Sequence, residues 1–316
     1  MKFLFYGASV TKQGGSSGYI QSLKALAEGT TVEITSIAYG ACHFNDAGFY
    51  NIKKVISEYP DVCVLEWNTT GLSEFDVKKM DSVLGELIEN NISIAFLILP
   101  RRDTNLKKNR KAEELIFKLS ESFDIPLLDL RMSVAFDDCV RDDVHTNDFG
   151  AFTYANNIHS WIKNTVFNKT INDFKVLKSV YTKEVEFFVG ANSVIECDLK
   201  YSTSDFFEIV FEITVGPSLL NLLISIDTHQ IEKSFVDPWC YYERKMFHTV
   251  CQEKNFKHFV NPSKLMIRAS ENLPDFTPLL KTPKIPLNEF KGVLVHNIYS
   301  LGIELYNLKI LLKEKP

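Results

Sequence analysis

The chain has no CxxC pair, no cysteine–histidine cluster, no internal repeat and no low-complexity stretch. Its six cysteines, Cys42, Cys63, Cys139, Cys197, Cys240 and Cys251, are scattered. That spacing excludes a small disulfide framework and a structural zinc site, so the cysteines read as free thiols and no metal is expected. Basic charge is not in excess either: 35 Lys and Arg face 40 Asp and Glu, for a net charge of -5. A general nucleic-acid binder normally shows the opposite balance, so no nucleic-acid partner is expected. Long apolar runs are missing too. The opening Lys2-Phe3-Leu4-Phe5-Tyr6 breaks at Gly7, too soon for a signal peptide or membrane anchor, and the expectation is a cytoplasmic protein without a membrane span. Gly14-Gly15-Ser16-Ser17-Gly18 lacks the lysine of a P-loop, and Gly7-Ala8-Ser9-Val10-Thr11 lacks the Gly-x-Gly-x-x-Gly of a dinucleotide fold.

What is present is a chain of 316 residues, 45% hydrophobic, enough for two domains with separate cores. From Met1 to about Lys163, apolar runs alternate with helical spacing, the pattern of a parallel sheet covered on both faces. Strands are expected at residues 2–6, 31–38, 62–67, 92–99 and 126–130. Helices are expected from near Tyr19, over the Phe49, Ile52, Ile56, Tyr59 series as far as Pro60, over Val77 to Leu87, over Ala112 to Phe123, and from Asp148 to Ile162. The continuously apolar fourth run reads as an interior strand. From Glu184 onward, apolar alternation broken by Gly, Pro, Asn and Asp argues for an antiparallel sandwich of jelly-roll type. The boundary is placed near residue 170, giving an α/β domain over 1–168 and an all-β sandwich over 169–316.

In an open α/β sheet, ligands sit beyond the carboxyl ends of the strands, which is where Ser9 falls. A serine hydroxyl needs a base to act as a nucleophile. The strongest partner is His145 in Arg141-Asp142-Asp143-Val144-His145-Thr146-Asn147-Asp148, before a helix that Asn147 or Asp148 can cap. The basic group Arg101, Arg102, Lys107, Lys108, Arg110 and Lys111 reads either as an anion receiver or as a solvated helix face. Asp237-Pro238-Trp239-Cys240-Tyr241-Tyr242-Glu243-Arg244, with His248 beyond it, reads either as a sugar-stacking or interface surface or as ordinary sandwich loops.

Gly7-Ala8-Ser9 followed by Asp142-Asp143-Val144-His145 resembles the SGNH, or GDSL-type, hydrolase family over the first half of the chain. The resemblance implies a three-layer flavodoxin-like domain and a triad of Ser9, His145 and Asp142, with Asp142 favoured over Asp143 by its spacing from His145. It also implies oxyanion donors at the Ser9 N–H and after the second and third strands. Gly40 matches the donor after the second strand and Asn68 the donor after the third. The family's Gly-x-Asn-Asp is replaced here by Glu66-Trp67-Asn68-Thr69-Thr70-Gly71, and a shifted loop would put Thr70 in the asparagine position. Together with Gly40-Ala41-Cys42-His43-Phe44-Asn45-Asp46, the divergent block more loosely resembles SGNH proteins found with surface-polysaccharide biosynthesis. The implied activity is an acyl esterase acting on an O-acylated carbohydrate or another small ester, without a cofactor. One alternative is an O-acyltransferase with the same triad, which would need a donor such as acyl-CoA. Another is a non-catalytic glycan- or partner-binding protein, and a homo-oligomer is allowed by the sequence.

Overall fold

The computed structural model describes residues 1–71, 74–103, 109–168, 174–178, 180–190, 193–201, 207–216, 221–236, 242–252, 263–272, 275–277, 279, 282 and 292–312. The chain divides into two compact units, Met1–Leu177 and Lys178–Pro316. Residues 174–177 still pack on the first unit. Phe174 meets Phe123 edge to face with ring centroids 4.7 Å apart, and Leu177 N–H donates to Ser82 Oγ at 3.0 Å.

The first unit is built on five parallel strands, β1 Lys2–Gly7, β2 Glu33–Ala38, β3 Val62–Glu66, β4 Ser93–Ile98 and β5 Leu127–Asp129, in the order β2-β1-β3-β4-β5. Strands β1, β3 and β4 are buried almost throughout, as their unbroken apolar runs require when helices cover both faces. Around the sheet lie α1 Ser9–Lys12, α2 Tyr19–Ala27, α3 Ile52–Ser57, α4 Val77–Glu89, α5 Lys111–Phe123, α6 Phe136–Cys139 and α7 Asp148–Asn164. Register sets Gly7 level with Ala38 on one side and Glu66 on the other. Three connections therefore leave the same carboxyl edge side by side.

One local feature departs from the sequence reading. The helix expected to begin near Phe49 is preceded by a π-helical turn at Phe44–Gly48, and α3 itself starts at Ile52. Gly48 explains the wide turn: a Cβ there would stand 2.8 Å from Phe44 Cδ2 and 3.0 Å from Trp67 Cε2, so the backbone lies flush against the indole.

The second unit is antiparallel. One sheet has the order β10-β9-β12-β7-β14, from β7 Ser193–Tyr201, β9 Leu222–Ile226, β10 His229–Lys233, β12 Lys264–Ala269 and β14 Ile303–Leu312. The other has the order β11-β8-β13-β6, from β6 Val180–Val189, β8 Glu208–Val215, β11 Arg244–Gln252 and β13 Val293–Leu301. Phe211, Ile213 and Val295 of the second sheet share one core with Ile195, Ile224 and Leu265 of the first, which makes the unit a sandwich. Glu212, buried between the core positions Phe211 and Ile213 of β8, accepts from Asn297 Nδ2 at 2.6 Å and Tyr299 OH at 3.0 Å.

Candidate active site

The structure brings Ser9, His145 and Asp142 together. Ser9, half-buried, stands at the carboxyl end of β1, and its Oγ lies 3.0 Å from His145 Nε2. The other ring nitrogen, Nδ1, is 3.0 and 3.1 Å from the two Asp142 oxygens. With Ser9 Oγ–H donating to Nε2 and Nδ1–H donating to the carboxylate, the three side chains stand in the order that a nucleophile, its base and an orienting carboxylate require.

The histidine loop is shaped by its own sequence. Asp142 Oδ1 accepts from the backbone N–H of Val144 at 3.0 Å and of His145 at 2.8 Å, a local carboxylate turn that points the imidazole back at its partner. A bridge between Val140 and Thr146, and Asn147 N–H donating to Cys139 O at 3.0 Å, close the loop. Asn147 caps α7, its Oδ1 accepting from Gly150 N–H at 2.8 Å. The glycine-rich segment stitches this loop to the serine side. Gln13 Nε2 donates to Thr146 O at 2.8 Å, Thr146 Oγ1 to Ser17 O at 2.6 Å, and Ser16 Oγ to Asp148 Oδ1 at 3.0 Å.

The two neighbouring aspartates separate cleanly. Asp143 pairs with Arg102 Nε at 2.9 Å, while Asp142 faces the histidine. Burial raises the Asp142 pKa, but the N–H groups of His145 and Val144 and the charge on His145 outweigh it and hold the carboxyl below its ordinary value.

The oxyanion residues do not all stand where the sequence put them. Gly40 follows β2, whose end is fixed by Tyr39 N–H donating to Gly7 O at 3.0 Å. The nearest atom to a Cβ added at Gly40 would be Lys12 Cδ at 3.5 Å, which places this glycine beside α1. Asn68 is corrected. It is fully buried, its Nδ2 donates to Leu99 O at 2.8 Å, and its Oδ1 accepts from Leu99 N–H at 3.0 Å. That amide joins the loops after β3 and β4 and has no face left for a substrate. Thr70 is different: it is 6% exposed, and its Oγ1 is buried without a hydrogen-bond partner. His43 Cε1 would lie 3.8 Å from a Cβ on Gly71. Burial lowers the His43 pKa.

Arg101 and Arg110 fit neither expectation for the basic group. Arg101 Nη1 donates to Thr69 O at 2.5 Å and Thr70 O at 2.9 Å, and Arg110 Nη1 donates to Thr70 O at 2.9 Å. Arg110 is held in turn by the fully buried Glu113 at 2.7 Å and also donates to Asn68 O. The two guanidinium groups thus fix the backbone of the loop that carries Thr70. Thr11, Glu66 and Thr69, which bond to one another beside this loop, do not stand out in the sequence because lone threonines and one glutamate carry no motif. Lys107, Lys108 and residues 237–241, Trp239 and Cys240 among them, lie outside the described residues. In the second unit, His248 sits edge to face on Phe235 with ring centroids 4.8 Å apart. Among the described residues five cysteines are free and buried, no group of three metal-binding side chains is found, and no helix is long and apolar enough to cross a membrane.

The first unit thus carries a β2-β1-β3-β4-β5 parallel sheet with Ser9 at the end of β1 and Asp142-Asp143-Val144-His145 before α7, the arrangement that the resemblance to SGNH, or GDSL-type, hydrolases implies. Among solved structures, a two-domain esterase active on acetylated mannans aligns over 95% of this chain and 90% of its own, with a TM-score of 0.62 at 12% identity. A structure of such an esterase co-crystallised with mannopentaose aligns over 100% of this chain and 91% of its own, with the same TM-score and identity. An acetyl xylan esterase aligns over 51% of this chain and 100% of its own, at 21% identity and a TM-score of 0.45. No protein-family model matches the chain, and no curated protein does so either.

Proposed function

We propose that the protein is a serine esterase that removes acyl groups, acetyl above all, from an O-acylated carbohydrate. The observation that carries this reading is the line from Ser9 Oγ to His145 Nε2 at 3.0 Å and from His145 Nδ1 to Asp142 at 3.0 Å. His145 takes the proton as Ser9 Oγ bonds to the acyl carbon, and Asp142 stabilises the imidazolium. The tetrahedral adduct collapses when His145 returns that proton to the departing sugar oxygen. Water then repeats the sequence on the Ser9 ester, with His145 again as base, and releases the carboxylic acid. The carbohydrate part of the reading is supported by likeness to a two-domain esterase active on acetylated mannans. Acetate release from acetylated mannan, acetylated xylan and a small aryl acetate is the test. Release from none of the three, by folded protein, would overturn the esterase reading.

Thr70 Oγ1, with Gly40 N–H, is the proposed receiver of the negative charge on the carbonyl oxygen. A buried hydroxyl without a partner is rare because losing water costs about 1–3 kcal/mol, and a substrate oxygen would supply the missing bond. Thr70→Val is therefore expected to hold or raise the thermal midpoint while lowering kcat by about 10²–10³-fold. Unchanged kcat would place the donor elsewhere. Asn68→Ala should behave in the opposite way, with stability lost by about 2 kcal/mol in urea unfolding because Leu99 N–H and C=O lose their partner.

A further inference from the structure

Behind the nucleophile lies a second buried polar group that the triad does not use. Glu66 ends β3 with no exposed surface. Its Oε2 accepts from Thr11 Oγ1 at 2.6 Å, and its Oε1 accepts from Thr69 Oγ1 at 2.8 Å and Thr69 N–H at 3.4 Å. Its backbone carbonyl accepts from Ala8 N–H at 3.1 Å, and Thr11 Oγ1 lies 2.7 Å from Tyr19 OH. Thr11 belongs to α1, the helix that Ser9 begins, and Thr69 directly precedes Thr70. One carboxyl group therefore bonds both to the turn that presents the attacking oxygen and to the loop that presents the unpartnered hydroxyl. The packing leaves no slack: a Cβ at Gly7 would stand 2.5 Å from Glu66 O and 2.9 Å from Glu66 Oε2.

We propose that Glu66 is a positioning residue whose carboxylate clamps the Ser9 turn to the Thr69–Thr70 loop, setting the spacing between nucleophile and oxyanion donor. The inference rests on the acyl-transfer reading of Ser9. Three donors converge on the two oxygens, an arrangement that an ionised carboxylate satisfies and a carboxylic acid does not, because the acid must itself donate and turn one threonine around. Burial pushes the Glu66 pKa up to about 7, against the pull of the Thr11, Thr69 and Ala8 bonds. The titratable groups facing it are Tyr19 on α2 and Tyr154 on α7, both neutral, with pKa values raised by burial first and also by the Glu66 charge. Protonation of Glu66 thus loosens the clamp in a range where the esterase is otherwise competent.

The test is the second-order rate at which a fluorophosphonate labels Ser9, read by peptide mass spectrometry from about pH 5.5 to 9 on wild type, Ser9→Ala and Glu66→Gln. Wild type is expected to label at Ser9, with a rate that falls on the acid side as Glu66 takes up a proton and the clamp loosens. Glu66→Gln is expected to label about 10–100-fold more slowly at neutral pH and to lose the part of the pH dependence that Glu66 contributes. Equal rates and equal slopes in the two proteins overturn the clamp alone and leave the esterase reading standing. Absence of label on wild type overturns both. If Glu66→Gln does not fold, Thr11→Val and Thr69→Val each remove one donor at constant shape. Slower labelling in either supports the clamp, and wild-type rates in both overturn it.

Discussion

Ser9→Ala is expected to lower kcat/KM on an acetylated carbohydrate by about 10⁴-fold or more while leaving the thermal midpoint nearly unchanged. The two halves of this expectation have separate causes. Ser9 is half-buried and its hydroxyl meets a histidine whose side chain is 28% exposed, so removing one oxygen opens no buried cavity. Without it there is no atom to form the acyl bond, and what remains is binding and any oxyanion stabilisation, together worth far less than covalent catalysis.

Asp142→Asn supplies the sharper comparison. The asparagine keeps the carbonyl oxygen that accepts from Val144 and His145 N–H, so the loop folds as before. Its amide would donate to Nδ1, leaving the ring proton on Nε2, where it opposes Ser9. About a 10³–10⁴-fold loss in kcat is expected. Asp143→Asn, by contrast, removes only an exposed pair with Arg102 at 2.9 Å and should leave kcat within about threefold. Equal losses in the two variants would mean that the 3.0 Å contact of Asp142 with His145 does not orient the base.

This contrast also explains what the sequence made legible. Strands β1, β3 and β4 could be read because burial on both faces forces unbroken apolar runs, and a run such as Phe3-Leu4-Phe5-Tyr6 has few other uses in a chain without a membrane-length segment. That Ser9, Asp142 and His145 would come together was legible because a strand end and a three-residue spacing can be read from the sequence. Asn68 was misplaced because its role depends on Leu99, which is distant in sequence. In this loop the asparagine is a tie between two loops, and the hydroxyl of Thr70 is buried without a hydrogen-bond partner. Arg110 looked like surface charge because nothing in its neighbourhood announces that Glu113 is fully buried. The π-helical turn at Phe44–Gly48 arises from contact with Trp67, again a partner far along the chain.

Gly150→Ala carries the largest expected effect on stability, with a sign opposite to propensity. In a solvent-exposed helix interior, alanine is favoured over glycine by about 1 kcal/mol. Gly150 is near the start of α7, buried, and a Cβ there would stand 1.8 Å from Cys139 O, 2.6 Å from Cys139 C and 2.8 Å from Cys139 Cα. All three atoms are backbone, so no rotamer change relieves the overlap. The Cys139 carbonyl also accepts from Asn147 N–H, and Asn147 Oδ1 caps α7 through Gly150 N–H. Moving the helix start outward therefore breaks the contacts that close the loop carrying Asp142 and His145. Overpacking of this kind costs about 1–3 kcal/mol, and the lost cap adds about 1 kcal/mol, outweighing the gain in propensity. The first unit should melt several degrees lower. Ser9 labelling should slow even at temperatures where the variant is folded, because His145 is no longer held 3.0 Å from Ser9 Oγ. A variant as stable and as reactive as wild type would show that the close approach of α7 to Cys139 does not set the geometry of the histidine loop.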